Sequence, residues 1–131
     1  MLPILKIIFL EKMSPPNNTR INEPEVMNDS AQIESYVKAY EWGGPTSALQ
    51  LHHLKELSLM IRNGDTIVDL ACGPGPLLLE LASLYPDCKF FGVDLSPLML
   101  AHLNQQAKMR NLKNIHTVLS DIRTLSTSDV G

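Results

Sequence analysis

The sequence predicts an α/β domain, in which helices pack on the faces of a parallel β-sheet. Three short apolar runs rich in β-branched or aromatic residues, at 66–70, 89–94 and 115–119, read as buried strands. Two segments of helical length, at 77–84 and 96–110, separate them. Strand, helix, strand, helix, strand in this order favours right-handed parallel units. With 131 residues and 44% hydrophobic content, the chain suits one small domain.

The first 30 residues are predicted to be an N-terminal extension or linker in front of a domain at 31–131. The apolar run at 2–10 is interrupted by Lys6 and is far shorter than the roughly 20 residues that cross a bilayer. We therefore expect a helix or a disordered extension there, and not a targeting segment. The stretch at 14–30 is rich in Pro, Asn and Glu and has no apolar period, which is typical of a linker.

Two helices are expected before the first of these strands. Apolar residues at helical spacing predict a helix over 31–40, with the Asp-Ser pair at 29–30 as its cap. After a Gly-Gly-Pro break, a second helix begins at the Thr-Ser pair at 46–47 and ends near 63–64, where a glycine can stop it. The residues predicted to face the core from this second helix are Leu49, Leu54, Leu57 and Met60.

A glycine-rich turn joins the strand at 66–70 to the helix that follows it. Gly73 and Gly75 lack the Cβ atoms that would keep a ligand away from the backbone, and they permit positive φ. Pro74 and Pro76 remove backbone donors that a diphosphate would need, so the turn favours a ligand without one. Asp94 lies 19 residues beyond Gly75 at the end of the second predicted strand, where a carboxylate can accept both hydroxyls of a ribose. The pair predicts an adenosine-containing ligand.

Several other classes are disfavoured. The third glycine of a dinucleotide fingerprint would stand at Leu78, which counts against NAD or FAD, and no Gly-Lys-Ser/Thr follows the turn for nucleoside triphosphate hydrolysis. A net charge of -3 is unlike that of a nucleic-acid binder. Two cysteines, Cys72 and Cys88, cannot build a disulfide framework or a four-ligand zinc site, so a reducing cytoplasm is the expected location. The scattered histidines form no metal site and identify no catalytic base; they are His52, His53, His102 and His116.

Three ordered motifs together resemble a known family. The segments at 68–75 (VDLACGPG), 92–96 (GVDLS) and 120–122 (SDI) are similar to the successive cofactor motifs of the Rossmann-like, class I S-adenosylmethionine-dependent methyltransferases, small-molecule branch. The likeness covers about 63–125, and three motifs on matching elements are more specific than one glycine turn. One departure is Ala71, where many members of the family have glycine.

The resemblance implies S-adenosyl-L-methionine as the cofactor, and it implies a role for each matching residue. Asp94 would bind the ribose. The residues that would border the methionine part are Asp69, Ala71, Cys72, Gly73 and Gly75. The residues that would surround the adenine are Leu95, Met99, Asp121 and Ile122.

The implied reaction is in-line transfer of the sulfonium methyl group to a nucleophile on a small-molecule substrate, with no nucleic-acid or membrane partner. The protein would supply alignment and dehydration. The catalytic base and the acceptor atom stay unidentified at this point.

The resemblance also implies a truncated fold. The family has seven strands in the order 3-2-1-4-5-7-6, and only the first three are predicted here. The central strand would then have no fourth strand beside it, which makes the chain an incomplete domain with weak or absent cofactor binding and no turnover. A second hypothesis, from a different class, is a non-catalytic module that associates with another chain or with itself through the exposed strand edge.

Several of these residues also have a purely structural interpretation. The two glycines could form only a tight turn, and Asp69 could bind only loop amides. Cys72 is expected to be a small buried residue and not a nucleophile. The aromatic residues upstream could form a lid over the cofactor or part of the core; they are Tyr36, Tyr40 and Trp42.

Overall fold

The chain folds around a four-stranded, all-parallel sheet. The structure is a computed structural model that describes the backbone of residues 5–9 and the whole of residues 26–131. The strand order is β1-β2-β3-β4, and all three neighbouring pairs are parallel. The strands are β1 Leu5–Phe9, β2 Thr66–Leu70, β3 Lys89–Asp94 and β4 Ile115–Leu119. The three predicted strands are confirmed at their predicted bounds.

In the part of the chain that the structure describes, four helices accompany the sheet. They are α1 Ser30–Tyr40, α2 Ser47–Ser58, α3 Pro76–Leu84 and α4 Pro97–Met109, and a short 3-10 turn follows at Thr127–Asp129. The side chain of Asp29 caps α1 by accepting hydrogen bonds from two backbone amides, at 2.9 and 3.0 Å. Ser96 caps α4 by accepting from the Met99 amide at 3.3 Å, with Pro97 at the first helical position. The cap predicted for α1 is therefore present, whereas Thr46, which precedes α2, makes no side-chain capping hydrogen bond.

The prediction for α2 is wrong in part. Leu49 and Met60 are 57% and 59% exposed, whereas Leu54 and Leu57 pack against the core as expected. The helix ends at Ser58, several residues early, because the chain turns there to enter β2 and brings Ile61 into the core.

Residues 5–9 differ most from expectation. A helix or a disordered extension is predicted there, but these residues form β1, whose register against β2 runs from Leu5 opposite Thr66 to Phe9 opposite Leu70. An apolar, isoleucine-containing run suits a parallel strand, and pairing removes the open edge that the sequence predicts for β2. The sheet thus has a strand beyond the predicted three. The rest of the predicted extension before residue 26 lies outside the described residues, and the domain boundary near residue 30 stays a prediction.

The two faces of the sheet are covered unequally. On one face, Ile67 and Phe90 are fully buried beneath α2, α3 and α4, in one continuous hydrophobic cluster. On the other face, Val68 and Val93 are buried in a small cluster that is completed from the segment at 125–130. The loop at 71–75 lies where these faces meet, at the carboxyl ends of β2 and β3.

Candidate functional site

The loop from residue 71 to residue 75 has a backbone that most side chains avoid. Ala71, Gly73 and Gly75 all have positive φ, at 58°, 56° and 63°. A Cβ on Gly75 would lie 2.7 Å from the Cδ1 atom of the fully buried Leu103, so close packing as well as conformation requires glycine there. Ala71 bears the strain of this conformation with a methyl group, which explains why glycine is common at that position in the resembled family.

The loop is bound directly to the end of β3. The Cys72 amide donates to the Val93 carbonyl at 3.0 Å, and the Gly73 amide donates to Oδ2 of Asp94 at 2.8 Å. The other oxygen of Asp94, Oδ1, accepts from the Ser96 amide at 2.8 Å. One carboxylate therefore ties the glycine turn to the start of α4, and the first two sequence motifs meet at one point.

The third motif reaches the same edge. The Ser120 amide donates to the Asp94 carbonyl at 3.2 Å, which places the segment at 120–122 next to β3. The carboxylate of Asp121 is held by Arg123, whose Nε lies 3.0 and 2.9 Å from its two oxygens. This side-chain hydrogen bond, followed by one from the Arg123 amide, lowers the pKa of Asp121. A ligand amino group would have to share that carboxylate with Arg123.

The remaining residues that the resemblance assigns to the adenine are unequally accessible. Ile122 is largely exposed and Leu95 is half-buried, whereas Met99 is 4% exposed in the first turn of α4. Their role in binding stays a prediction.

Asp69 is a buried carboxylate at the end of β2. It is 4% exposed, and within residues 26–131 no group donates a hydrogen bond to it. Desolvation, followed by the negative charge of Asp94, raises its pKa to about 7. The alternative in which Asp69 binds loop amides therefore finds no support in the described part of the chain.

Cys72 lies beside the two carboxylates. Burial, followed by the charges of Asp69 and Asp94, raises the pKa of its thiol. Its Sγ would lie 2.9 Å from a Cβ on Gly92, so it fills the space between the loop and β3. Cys72 is a packing residue, as the sequence predicts.

An aromatic pair from α1 covers the loop. The rings of Tyr36 and Tyr40 stack with centroids 4.4 Å apart, and Cε1 of Tyr36 would lie 3.6 Å from a Cβ on Gly73. Burial, then a hydrogen bond with Tyr40, and then the charges of the two carboxylates raise the pKa of Tyr36. The segment before α1 is held as well, because Oγ of Ser96 donates to the Met27 carbonyl at 2.7 Å. Tyr36 thus occupies the lid position over the loop.

Two clefts lie beside the loop and α1 but do not include the carboxylates. One, of about 290 Å³, lies between the loop prolines and the α1 and α4 helices, with Tyr40, Trp42 and His102 in its wall. A second, of about 550 Å³, continues between α1 and α4. Neither is lined by Asp69 or Asp94. Tyr36 covers Gly73, whereas Asp94 is only partly buried.

The described residues hold neither a metal cluster nor a membrane-spanning helix. No group of three or more His, Cys, Asp or Glu side chains is placed to share a metal ion. No helix there combines the length and the hydropathy that a membrane span requires.

Similarity to known proteins is concentrated in the same region. Residues 67–130 match a family model described as a methyltransferase domain. The (S)-tetrahydroprotoberberine N-methyltransferase of Eschscholzia californica is 30% identical over 76 residues, which cover 58% of this chain and 22% of that protein. The release factor glutamine methyltransferase of Escherichia coli is 40% identical over 55 residues, which cover 42% of this chain and 20% of that protein. The chain spans about a fifth of the length of these relatives.

Solved structures agree with the fold. A coclaurine N-methyltransferase bound to N-methylheliamine and SAH superposes with a TM-score of 0.57 at 28% identity, over 61% of this chain and 24% of that one. A SAM-dependent methyltransferase from Aquifex aeolicus gives a TM-score of 0.58 at 19% identity, over 76% of this chain and 50% of that one, which shows the shared fold alone.

Proposed function

Because residues 67–130 belong to the class I S-adenosylmethionine-dependent methyltransferases, we propose that this chain supplies the cofactor-binding part of an enzyme that methylates a small-molecule acceptor. The observation that carries the proposal is the 2.8 Å hydrogen bond from the Gly73 amide to Asp94. It joins the two motifs that must meet on a single nucleoside if the ligand is an adenosine derivative.

The described residues fit this cofactor. Gly73 presents backbone without a side chain, and the two prolines leave few donors for a diphosphate. Asp94 is held by amides from both sides, so its carboxylate is fixed at the strand end, where a ribose would present its hydroxyls. Asp69 lies at the strand end that leads into the loop, next to where the methionine tail would lie.

When bound, S-adenosylmethionine supplies an electrophilic methyl group on a sulfonium. The residues of this chain then have to orient the ligand and keep water away. The loop and Asp94 provide the orientation, and Tyr36, stacked on Tyr40, excludes water above Gly73. No charged side chain is needed at the methyl group itself.

A small-molecule acceptor is proposed because several relatives are named as N-methyltransferases of small alkaloids. We place the protein in the cytoplasm because both of its cysteines are free and buried, as in proteins of reducing compartments. The association-module alternative is weakened by β1, which pairs with the β2 edge that such a module would use.

Calorimetric titration tests the proposal. We expect heat with S-adenosylmethionine and with S-adenosylhomocysteine at millimolar concentrations, and none with NAD. The substitution Asp94→Asn should weaken binding by roughly 10- to 150-fold, since loss of a charge-assisted hydrogen bond costs about 1.5–3 kcal/mol. Asp87→Asn, at an exposed position outside the site, is the matched control and should bind as the wild type does. Heat with NAD alone, or full affinity in Asp94→Asn, would contradict the assignment.

A further inference from the structure

The side chain of Ser96 makes two hydrogen bonds, and its place at the start of α4 accounts for only one of them. Its Oγ accepts from the Met99 amide at 3.3 Å, which caps the helix, and donates to the Met27 carbonyl at 2.7 Å. A hydroxyl has one proton to donate, and Met27 receives it. Ser96 is 2% exposed, so its hydroxyl depends on these two protein partners. Because Met27 lies 69 positions away in the chain, the second bond is a tertiary contact and not part of the cap.

Met27 leads directly into α1. Asp29, two residues later, caps that helix, and Ile33 in its first turn is 8% exposed. Three residues beyond Ile33, Tyr36 reaches the loop, where its Cε1 would lie 3.6 Å from a Cβ on Gly73. The hydrogen bond at Met27 therefore fixes the point from which the helix that carries Tyr36 begins.

The opposite end of α1 is also held through backbone carbonyls. Oγ1 of Thr46 donates to the Ala39 carbonyl at 2.9 Å, and Nε2 of Gln50 donates to the Tyr40 carbonyl at 2.7 Å. Both donors lie at the start of α2, so they fix that end of α1 against the next helix in the chain. The contact from Ser96 fixes the first end against the carboxyl edge of the sheet.

Ser96 contacts the candidate site as well. Its backbone amide donates to Oδ1 of Asp94 at 2.8 Å, and the other oxygen of that carboxylate accepts from the Gly73 amide at 2.8 Å. One residue therefore binds the site carboxylate through its amide and the start of α1 through its hydroxyl. The two links can be separated, because a substitution can remove the hydroxyl and leave the amide in place.

We propose that Ser96 is a positioning residue whose hydroxyl anchors α1, and with it Tyr36, over the glycine loop. The effect on ligands rests on the proposed function, in which Tyr36 forms the outer wall beside the methionine tail. Without the hydroxyl, the carbonyl of the half-buried Met27 loses its donor, and α1 separates from the loop more often. Ligands that carry the tail are then held less tightly, whereas binding of the nucleoside through Asp94 is unchanged.

The substitution Ser96→Gly separates anchoring from capping. Glycine keeps the amide that donates to Asp94 and is nearly as good an N-cap as serine, but it has no hydroxyl. An isolated helix of 11 residues is marginal in water, so each separation of α1 exposes its amides to exchange. We expect hydrogen exchange at the Tyr36 and Val37 amides, followed by NMR, to become roughly fivefold faster, the factor for one lost hydrogen bond. A serine that only caps α4 would change exchange at the Met99 amide and leave α1 as in the wild type.

Two further variants are the controls. Ser96→Thr retains a hydroxyl and should restore the exchange rates of the wild type in α1. Ser126→Gly removes the hydroxyl of an exposed serine before the 3-10 turn at Thr127–Asp129 and should leave α1 unchanged. Wild-type exchange of α1 in Ser96→Gly, or exchange in Ser96→Thr as fast as in Ser96→Gly, would overturn the inference.

A matched pair of ligands tests the effect on binding. S-adenosylhomocysteine and 5′-methylthioadenosine share the adenosine and the thioether sulfur, but only the first has the amino-acid tail. Calorimetry should show that Ser96→Gly binds S-adenosylhomocysteine roughly fivefold more weakly than the wild type does, and 5′-methylthioadenosine with less than about a twofold change. Equal changes for the two ligands, or none for either, would overturn the inference and leave the proposed function standing. If neither ligand binds the wild type, the proposed function fails, and the exchange rates in α1 alone decide whether Ser96 is the anchor.

Discussion

The two faces of the sheet differ in how they are built. The face that carries Ile67 and Phe90 is sealed by α2, α3 and α4, and both residues are completely buried. The opposite face carries Val68 and the half-buried Phe91, and its cover comes from the short segment at 125–130. Two crossovers that run in the same direction across a parallel sheet, each right-handed, place α3 and α4 on one side. The stability of the described fold therefore resides mainly on the helix-covered face.

Two adjacent phenylalanines on β3 test this difference between the faces, because their side chains lie on opposite sides of the sheet. Phe90 is 0% exposed beneath the helices, whereas Phe91 on the other face packs partly against His116, with ring centroids 5.1 Å apart. Phe90→Ala should lower the free energy of unfolding by about 3–5 kcal/mol, and Phe91→Ala by less than half of that. Urea unfolding followed by circular dichroism measures both. Equal losses would show that the two faces contribute alike.

Asp69 is an acidic residue on the otherwise apolar, helix-covered side of β2. It lies two residues from Ile67 on the same strand, so both side chains face the same side of the sheet. Its pKa is about 7 in the folded chain against an ordinary 3.8, so the folded state holds the proton more tightly. The associated stability is fully present below about pH 4 and is lost as the pH rises through 7, by an amount on the order of 4 kcal/mol. Asp69→Asn should therefore stabilise the ligand-free protein increasingly between pH 4.5 and pH 7.5.

Urea unfolding at several pH values checks this, with Asp87→Asn as the control that should follow the wild type. If the difference in the free energy of unfolding between Asp69→Asn and the wild type were constant with pH, the pKa of Asp69 would not be raised by folding. Burial on the helix-covered face would then not disfavour the charge of Asp69.

Proline substitutions in β1 test whether residues 5–9 pair with β2 and so contribute to the stability of the sheet. In a parallel pair, alternate residues direct their amides to the same neighbour, so one of Ile7 and Ile8 donates to β2 and the other points away. Proline at the donating position should cost about 1–3 kcal/mol, because a backbone partner on β2 is left unpaired. Proline at the other position should cost less. Urea unfolding of Ile7→Pro and Ile8→Pro would show this alternation, and equal costs would contradict the pairing.

The smallest expected effect concerns the loop between the faces. Ala71→Gly relieves a left-handed alanine, worth about 1–2 kcal/mol, against about 0.4–1 kcal/mol of added freedom in the unfolded chain. A net stabilisation of about 1 kcal/mol at most is expected. Asn111, the other non-glycine residue described with positive φ, tolerates that conformation better, so Asn111→Gly should gain less. Thermal unfolding compares the two, and a loss of stability in Ala71→Gly would refute strain at this position.

What the sequence predicts correctly is local. The β-branched runs and the glycine turn each carry their own signal, so β2, β3 and β4 and the meeting of their motifs are predicted in advance. The strand β1 is not, because a short apolar run does not distinguish strand from helix until its partner is known. The exposure of Leu49 and the position of Tyr36 over Gly73 depend on how α1 and α2 pack, which no local pattern encodes.

The proposed function requires the adenosine ligand to bind at Asp94 and the glycine loop. Titration of the ¹⁵N-labelled protein with S-adenosylhomocysteine, followed through backbone amide chemical shifts, locates it. The Gly73 and Ser96 amides, which both donate to Asp94, should show the largest saturable shifts. Saturable shifts confined to the cleft between α1 and α4, at residues such as Lys38 and Gln105, with Gly73 unchanged, would contradict it.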